Sequence, residues 1–210
     1  MNNTLNALVA TLLLGTCAQA VAASSVDLAV KGVITPNACS PSLSGSGVVD
    51  YGKLSAKDLN LTTSTALPMT TLQMVIQCNG ATLFAIKSTD NRAGSAAGTS
   101  TRTYGMGLIN GNQKLGFYIV ALANPVTDTG PTQVLESIDN GLTWRDGSTG
   151  NPPTSLAAFG DRSSGIWLPI PVTEVTTDVN IWGYIARADS LDLSDEHPID
   201  GSATFEIKYL

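Results

Sequence analysis

The sequence predicts an all-β protein, an immunoglobulin-like β-sandwich of roughly seven to ten short antiparallel strands with long loops. Three observations carry that expectation. Apolar and polar residues alternate with period two in segment after segment, as strands with one buried and one wet face require. Gly, Asn, Asp and Pro separate those segments, and these are the residues of turns. Charged residues are 13% of the chain, against roughly 25% in an average soluble domain, so Ser, Thr and Gly fill the exposed faces instead.

Along the chain, Val26, Leu28 and Val30 share one parity and Asp27, Ala29 and Lys31 the other. Leu72, Met74, Ile76 and Cys78 alternate in the same way, as do Phe84 and Ile86. Leu115 to Leu122, Ile166 to Val172 and Val179 to Ala186 are the next expected strands. The last is the clearest, with Ala203, Phe205, Ile207 and Tyr209 on one face and Thr204, Glu206 and Lys208 on the other. No long helical stripe with caps follows the leader, and Ala56 to Leu59 suits a single turn. Gly94 to Thr101 and Gly147 to Ser155 read as long surface loops, and no linker divides residues 23–210, which are expected to form one domain.

The first residues read as an address. Leu5 to Gly15 is apolar apart from Asn6 and Thr11, and small residues follow with an Ala-x-Ala site, the pattern of a secretory signal peptide. The expected leader is 1–22, with cleavage after Ala20, Ala22 or Ala23. A lipoprotein site at Cys17 is the weaker competitor, because Thr16 is a poor residue before a lipidated cysteine. Export leaves Cys39 and Cys78 as an even pair in an oxidising compartment, where they are expected to bridge.

Composition excludes several function classes. A net charge of −6 argues against nucleic-acid binding, which needs clustered Lys and Arg. One His and three Cys leave too few ligands for a His-rich or Cys₄ metal site, so neither metal nor cofactor is expected. The acidic residues Asp189, Asp192, Asp195, Glu196 and Asp200 fit no EF-hand spacing and read as a solvated loop.

Four landmarks together resemble the subunits of bacterial chaperone–usher fimbriae, and in particular an exported fimbrial-like family whose domain carries an unknown-function label. They are Val30-Lys31-Gly32-Val33-Ile34 ahead of Cys39, Val49-Asp50-Tyr51-Gly52-Lys53-Leu54, which resembles the strand after that cysteine, the alternating run Leu72 to Cys78, and Thr204 to Leu210 with its penultimate aromatic. The resemblance spans residues 26–90 and 179–210; residues 95–165 have no counterpart that aligns. It implies a pilin-type sandwich lacking its last strand, with an open groove filled first by a periplasmic chaperone and then by another subunit. Such recognition is β-augmentation. Ala203, Phe205, Ile207 and Tyr209 would line the groove, and Val26, Leu28 and Val30 would be the donor side chains. Two arrangements are open for the latter: a donor strand, or the subunit's own first strand. The implied partners are the chaperone, an outer-membrane usher, other fimbrial subunits and a surface glycan. The implied course runs through the periplasm to a fimbria at the cell surface, or to secretion, and the implied role is cell adhesion. The expectation is a structural protein, not an enzyme, with a secreted or periplasmic carbohydrate-binding sandwich as the alternative.

A second motif is local. Ser137-Ile138-Asp139-Asn140-Gly141-Leu142-Thr143-Trp144 resembles the Asp-box turn of sialidase propellers. Asp139 can accept from amides across the turn, Gly141 can take a positive φ, and Trp144 can pack beneath. A propeller would repeat the box in several blades, so Ser137, Asp139, Gly141, Thr143 and Trp144 are expected to build a structural turn. A glycoside hydrolase would need two paired carboxylates; among Asp139, Asp146 and Asp161 the sequence selects no pair. Trp144, Trp167 and Trp182 could stack on sugars if exposed, although Trp182, alternating with Tyr184, is expected in the core.

Overall fold

The computed structural model describes Ala29, Gly32 and residues 38–210. The expected leader, residues 1–22, and Val26, Leu28 and Val30 lie outside the described residues. The chain divides after Ile34, and every element below belongs to the second unit.

The principal strands are β1 (Cys39–Leu43), β2 (Thr70–Thr82), β3 (Phe84–Asp90), β4 (Thr103–Gly105), β5 (Gly116–Thr127), β6 (Gln133–Ser137), β7 (Leu156–Asp161), β8 (Val172–Ile185) and β9 (Ala203–Tyr209). They form two antiparallel sheets, one in the order β1-β2-β8-β5-β4 and the other in the order β6-β7-β3-β9. Two-residue pairings at Thr65–Ala66, Gly130–Pro131, Arg145–Asp146 and Leu168–Pro169 extend them. The fold is the expected all-β sandwich. Ala56–Asp58 makes its expected single turn, with Ser55 Oγ accepting from Lys57 N–H at 3.3 Å.

Alternation explains the packing. Met74, Ile76 and Cys78 of β2, Val175, Val179 and Ile181 of β8 and Val120 of β5 meet Phe84, Ile86 and Phe159 of the other sheet in one buried cluster. Phe84 and Phe159 meet edge to face, with centroids 6.3 Å apart. Thr177 is a polar residue on this inner face; its hydroxyl donates to Ala123 O at 2.7 Å, which satisfies it.

The structure corrects four expectations. Ile166 to Val172 is not one strand: only Leu168–Pro169 pairs with β7, and β8 begins at Val172. Pro169 and Pro171 lack the N–H donors a continuous ladder needs. Val49 to Leu54 joins neither sheet, because Asp50 Oδ1 accepts from Gly52 N–H at 2.8 Å and turns the chain there. Trp182 points outward with Asn180 and Tyr184, since Ile181, Gly183 and Ile185 hold the inward parity. Gly183 faces a crowded interior: a Cβ there would lie 3.0 Å from the Tyr51 hydroxyl.

Gly147 to Ser155 is the expected loop, with Ser148, Thr149 and Thr154 exposed, but its middle from Gly150 to Pro152 is buried. Asn151 is 1% exposed. Its N–H donates to Val120 O at 2.8 Å, its Oδ1 accepts from Leu122 N–H at 2.9 Å, and its carbonyl accepts from Tyr104 OH at 2.9 Å. The loop therefore replaces strand bonds along β5. The middle of the chain, residues 95–165, supplies strands to both sheets.

Candidate functional site

The sheets share a seam where each ends. β1 is outermost in one sheet and β9 in the other, and among the described residues no strand pairs with the outer side of either. Asn91 N–H donates to Ser202 O at 3.0 Å and Leu210 N–H to Leu83 O at 3.1 Å. Those flanking bonds set the alternation of an antiparallel ladder. Thr204, Glu206 and Lys208 exchange bonds with β3, whereas the N–H and C=O groups of Ala203, Phe205, Ile207 and Tyr209 turn away from it. On β1, Asn79 N–H donates to Ala38 O at 3.0 Å, so Cys39, Pro41 and Leu43 turn their backbone outward by the same rule. Pro41 has no N–H to offer, a common feature of edge strands.

Between these edges lies an apolar cleft of about 250 Å³. Leu43, Val49 and Tyr51 form one wall, Ile199, Ala203 and Phe205 the other, and Leu72, Val120, Val179 and Ile181 the floor. The structure thus brings Ala203 and Phe205 to the cleft. Ile207 packs half-buried on the core beyond it, and Tyr209 reaches β1 outside the cleft, its hydroxyl accepting from Cys39 N–H. Cys39 and Cys78 are directly opposite on β1 and β2 and are bridged. The expected pairing, of cysteines 39 positions apart with 38 residues between them, is present, and it anchors the first edge.

The entry to β9 is held by charge. Arg92 donates from Nη2 to Asp200 Oδ1 at 2.7 Å and from Nε to Oδ2 at 2.9 Å, and Nε also reaches the Asp200 carbonyl at 3.1 Å. That bidentate contact holds the Asp200 carboxyl below its ordinary range. Tyr118, on the cleft wall, stacks on Tyr104 with centroids 5.1 Å apart. Burial pushes both phenols up, so both stay neutral.

The Asp-box residues close a compact turn after β6. Asp139 Oδ1 accepts from Thr143 N–H at 2.9 Å and from Ser137 Oγ at 2.7 Å, and Oδ2 accepts from the Thr143 hydroxyl. Ser137 Oγ in turn accepts from Gly141 N–H at 2.8 Å. Asn140 and Gly141 take positive φ, 65° and 96°, and a side chain at Gly141 would be strained there. The bonds from the Thr143 side chain, the Thr143 backbone and Ser137 lower the Asp139 pKa to about 2. Trp144 covers Ala85, Leu156 and Ala158 on the outer face of the second sheet.

The other nominated carboxylates serve local turns as well. Asp146 accepts from Ser148 N–H at 2.9 Å, and Asp161 from Ser163 N–H at 2.9 Å. In the acidic loop Asp192 accepts from Ser194, Asp189 pairs with Arg187 and Glu196 with Lys53. Among the described residues no group of three or more His, Cys, Asp or Glu side chains is placed to hold a metal ion.

One cluster escaped sequence reasoning. Glu136 is fully buried and lies between Arg102 Nη2 at 3.1 Å and Arg145 Nη2 at 3.0 Å. Arg102 also donates to the Gly150 carbonyl. The triad ties β6 to the Asn151 loop. Its only sequence signal is an acid inside an otherwise apolar stretch, Val134 to Glu136.

Comparison with known proteins gives likeness without a known activity. Residues 28–112, which include both bridged cysteines and β1 to β4, match the model of a family described as "Protein of unknown function (DUF1120)". Protein GltF of Escherichia coli (strain K12) is 25% identical over 232 aligned residues, covering 92% of this chain and 91% of that protein. Uncharacterized protein YhcF of the same organism is 26% identical over 223, covering 91% and 93%. The chain is therefore distantly similar to both over nearly its whole length.

Proposed function

We propose that this chain is an exported structural subunit of a surface fimbria, without catalytic activity, joined to its neighbours by strand exchange and contributing to adhesion. One observation carries the reading: β1 and β9 face each other across an apolar cleft, and among the described residues no strand pairs with the outer side of either. Such an edge invites aggregation unless a strand is supplied. A supplied strand would gain affinity from main-chain bonds and register from alternate side chains. In this reading a periplasmic chaperone lends the first strand, an outer-membrane usher receives the complex, and another subunit's Val26, Leu28 and Val30 replace the loan. Ala203, Phe205, Ile207 and Tyr209 are the positions the incoming strand meets.

The test is expression of the full chain in the periplasm with and without its chaperone, followed by unheated gel electrophoresis. A ladder of detergent-resistant multimers that collapses on boiling supports the reading. Accumulation of a soluble monomer without any chaperone overturns it. A second reading, carbohydrate binding, draws on Trp182, Tyr184 and Phe117 on the outer face of the first sheet, where Phe117 and Tyr184 stack at 4.9 Å. It requires a monomer with sugar affinity that Trp182→Ala abolishes.

A further inference from the structure

The Asp-box hairpin does more than turn the chain. It leaves β6 and reaches β9, three strand spacings away in the same sheet, or about 14 Å at ~4.8 Å each. Small outward residues, Ala85 and Ala158, make room for Trp144 beneath it. At its tip Asn140 receives Lys208 Nζ, 2.6 Å from Oδ1 and 3.4 Å from the carbonyl, and Gly141 lies against Leu210. Lys208 and Leu210 share the outward parity of β9, opposite to Phe205 and Tyr209.

We propose that this hairpin is a latch on β9, holding the edge strand from its outer face so that its inner face and free edge stay formed, and that latch closure and cleft occupancy are coupled. The physical need is plain. Among the described residues β9 is laddered on one side only, by β3, and elements with few bonded neighbours open first. The latch adds a hold on the one surface that an incoming strand does not use. Coupling then works in both directions, because a strand that stabilises β9 must also stabilise whatever grips β9. Only this coupling rests on the strand-docking reading; the grip itself does not.

The experiment is amide hydrogen exchange by NMR on the full chain as a monomer, comparing the wild type with Asp139→Ala and Lys208→Met. The Thr204, Glu206 and Lys208 amides should exchange roughly tenfold faster in both variants, while Val179 and Ile181 in β8 stay unchanged. Equal acceleration in β8 and β9, or none in either, overturns the latch. Lys208→Met leaves the turn untouched and decides the matter if Asp139→Ala does not fold. A synthetic peptide of residues 24–33 is then added. Where it binds, it should slow exchange at Gly141 and Thr143 in the wild type and not in Lys208→Met; binding without that effect overturns the coupling. Where it fails to bind, the docking reading falls, and with it the coupling, and the two variants alone decide the latch.

Discussion

The backbone N–H of Cys39 donates to the hydroxyl of Tyr209 at 3.0 Å, across a seam that no described strand bridges. Cys39 is also bonded to Cys78, so the disulfide, the start of β1 and the end of β9 share one corner. A side-chain oxygen there takes the place a strand carbonyl would hold on an edge N–H. The cleft lies along the other part of the seam, where Leu43 and Ala203 line it and Cys39 and Tyr209 do not.

Tyr209→Phe keeps the ring and removes the acceptor. Tyr209 is 39% exposed, so the bond competes with water and its loss should cost about 0.5–1 kcal/mol in denaturant unfolding. Exchange of the Cys39 amide should quicken. An unchanged Cys39 amide would mean that the hydroxyl does not hold the corner.

The Cys39–Cys78 bridge should leave no free thiol on either residue in protein expressed into the periplasm, read as a mass two hydrogens below the reduced value. Closing a loop of about 40 residues contributes on the order of 4 kcal/mol in the chain-entropy model. Reduction should lower stability by about that amount in urea titrations. Thiol labelling of either residue in the native exported protein would contradict both the bridge and the leader cut.

Asp139 makes stability depend on acid. Its folded pKa of about 2 lies below the ordinary 3.8, so its contribution is complete above the ordinary value and is lost as pH falls through about 2. Asp139→Asn should therefore melt below the wild type at pH 6, and the gap should shrink steadily between pH 4 and pH 2. A gap of constant size would show that the charge of Asp139 does not matter to the turn.

Glu136→Gln leaves Arg102 and Arg145 without their shared carboxylate. Removing one member of a buried ion pair typically costs 3–5 kcal/mol. Both arginines reach solvent, with side chains 25% and 52% exposed, which puts the expected loss near the low end, about 3 kcal/mol. Arg145→Ala, at the wetter partner, should cost less than about 1 kcal/mol. Chemical denaturation separates the two, and equal losses would contradict the assignment of Glu136 as the centre.

How much of this was legible follows from where the information lies. Leu72 to Cys78 and Ala203 to Tyr209 read correctly because their faces meet different environments, so alternation marks them. The run Ile166 to Val172 has the apolar content of a strand, but Pro169 and Pro171 interrupt its ladder. Trp182 and Tyr184 do alternate, but on the outer parity, because Ile181 and Ile185 take the inner one. The Asp-box was legible as a motif, yet its reach to Lys208 spans 68 residues and no local pattern encodes it. Glu136 was invisible for the same reason, since Arg102 lies 34 residues away. The free edges of β1 and β9 are properties of strand order, which only the three-dimensional arrangement supplies.

The central claim, that the seam between β1 and β9 receives a strand, is tested most directly at single amides of β9. In the free monomer the Phe205 and Ile207 amides turn away from β3 and should exchange quickly, while Thr204 and Glu206 beside them are protected. Adding a peptide of residues 24–33 should give Phe205 and Ile207 the large gain in protection, while Thr204 and Glu206, already bonded to β3, slow only as far as β9 itself opens less often. Phe205 and Ile207 amides that remain unprotected at saturating peptide would contradict the account.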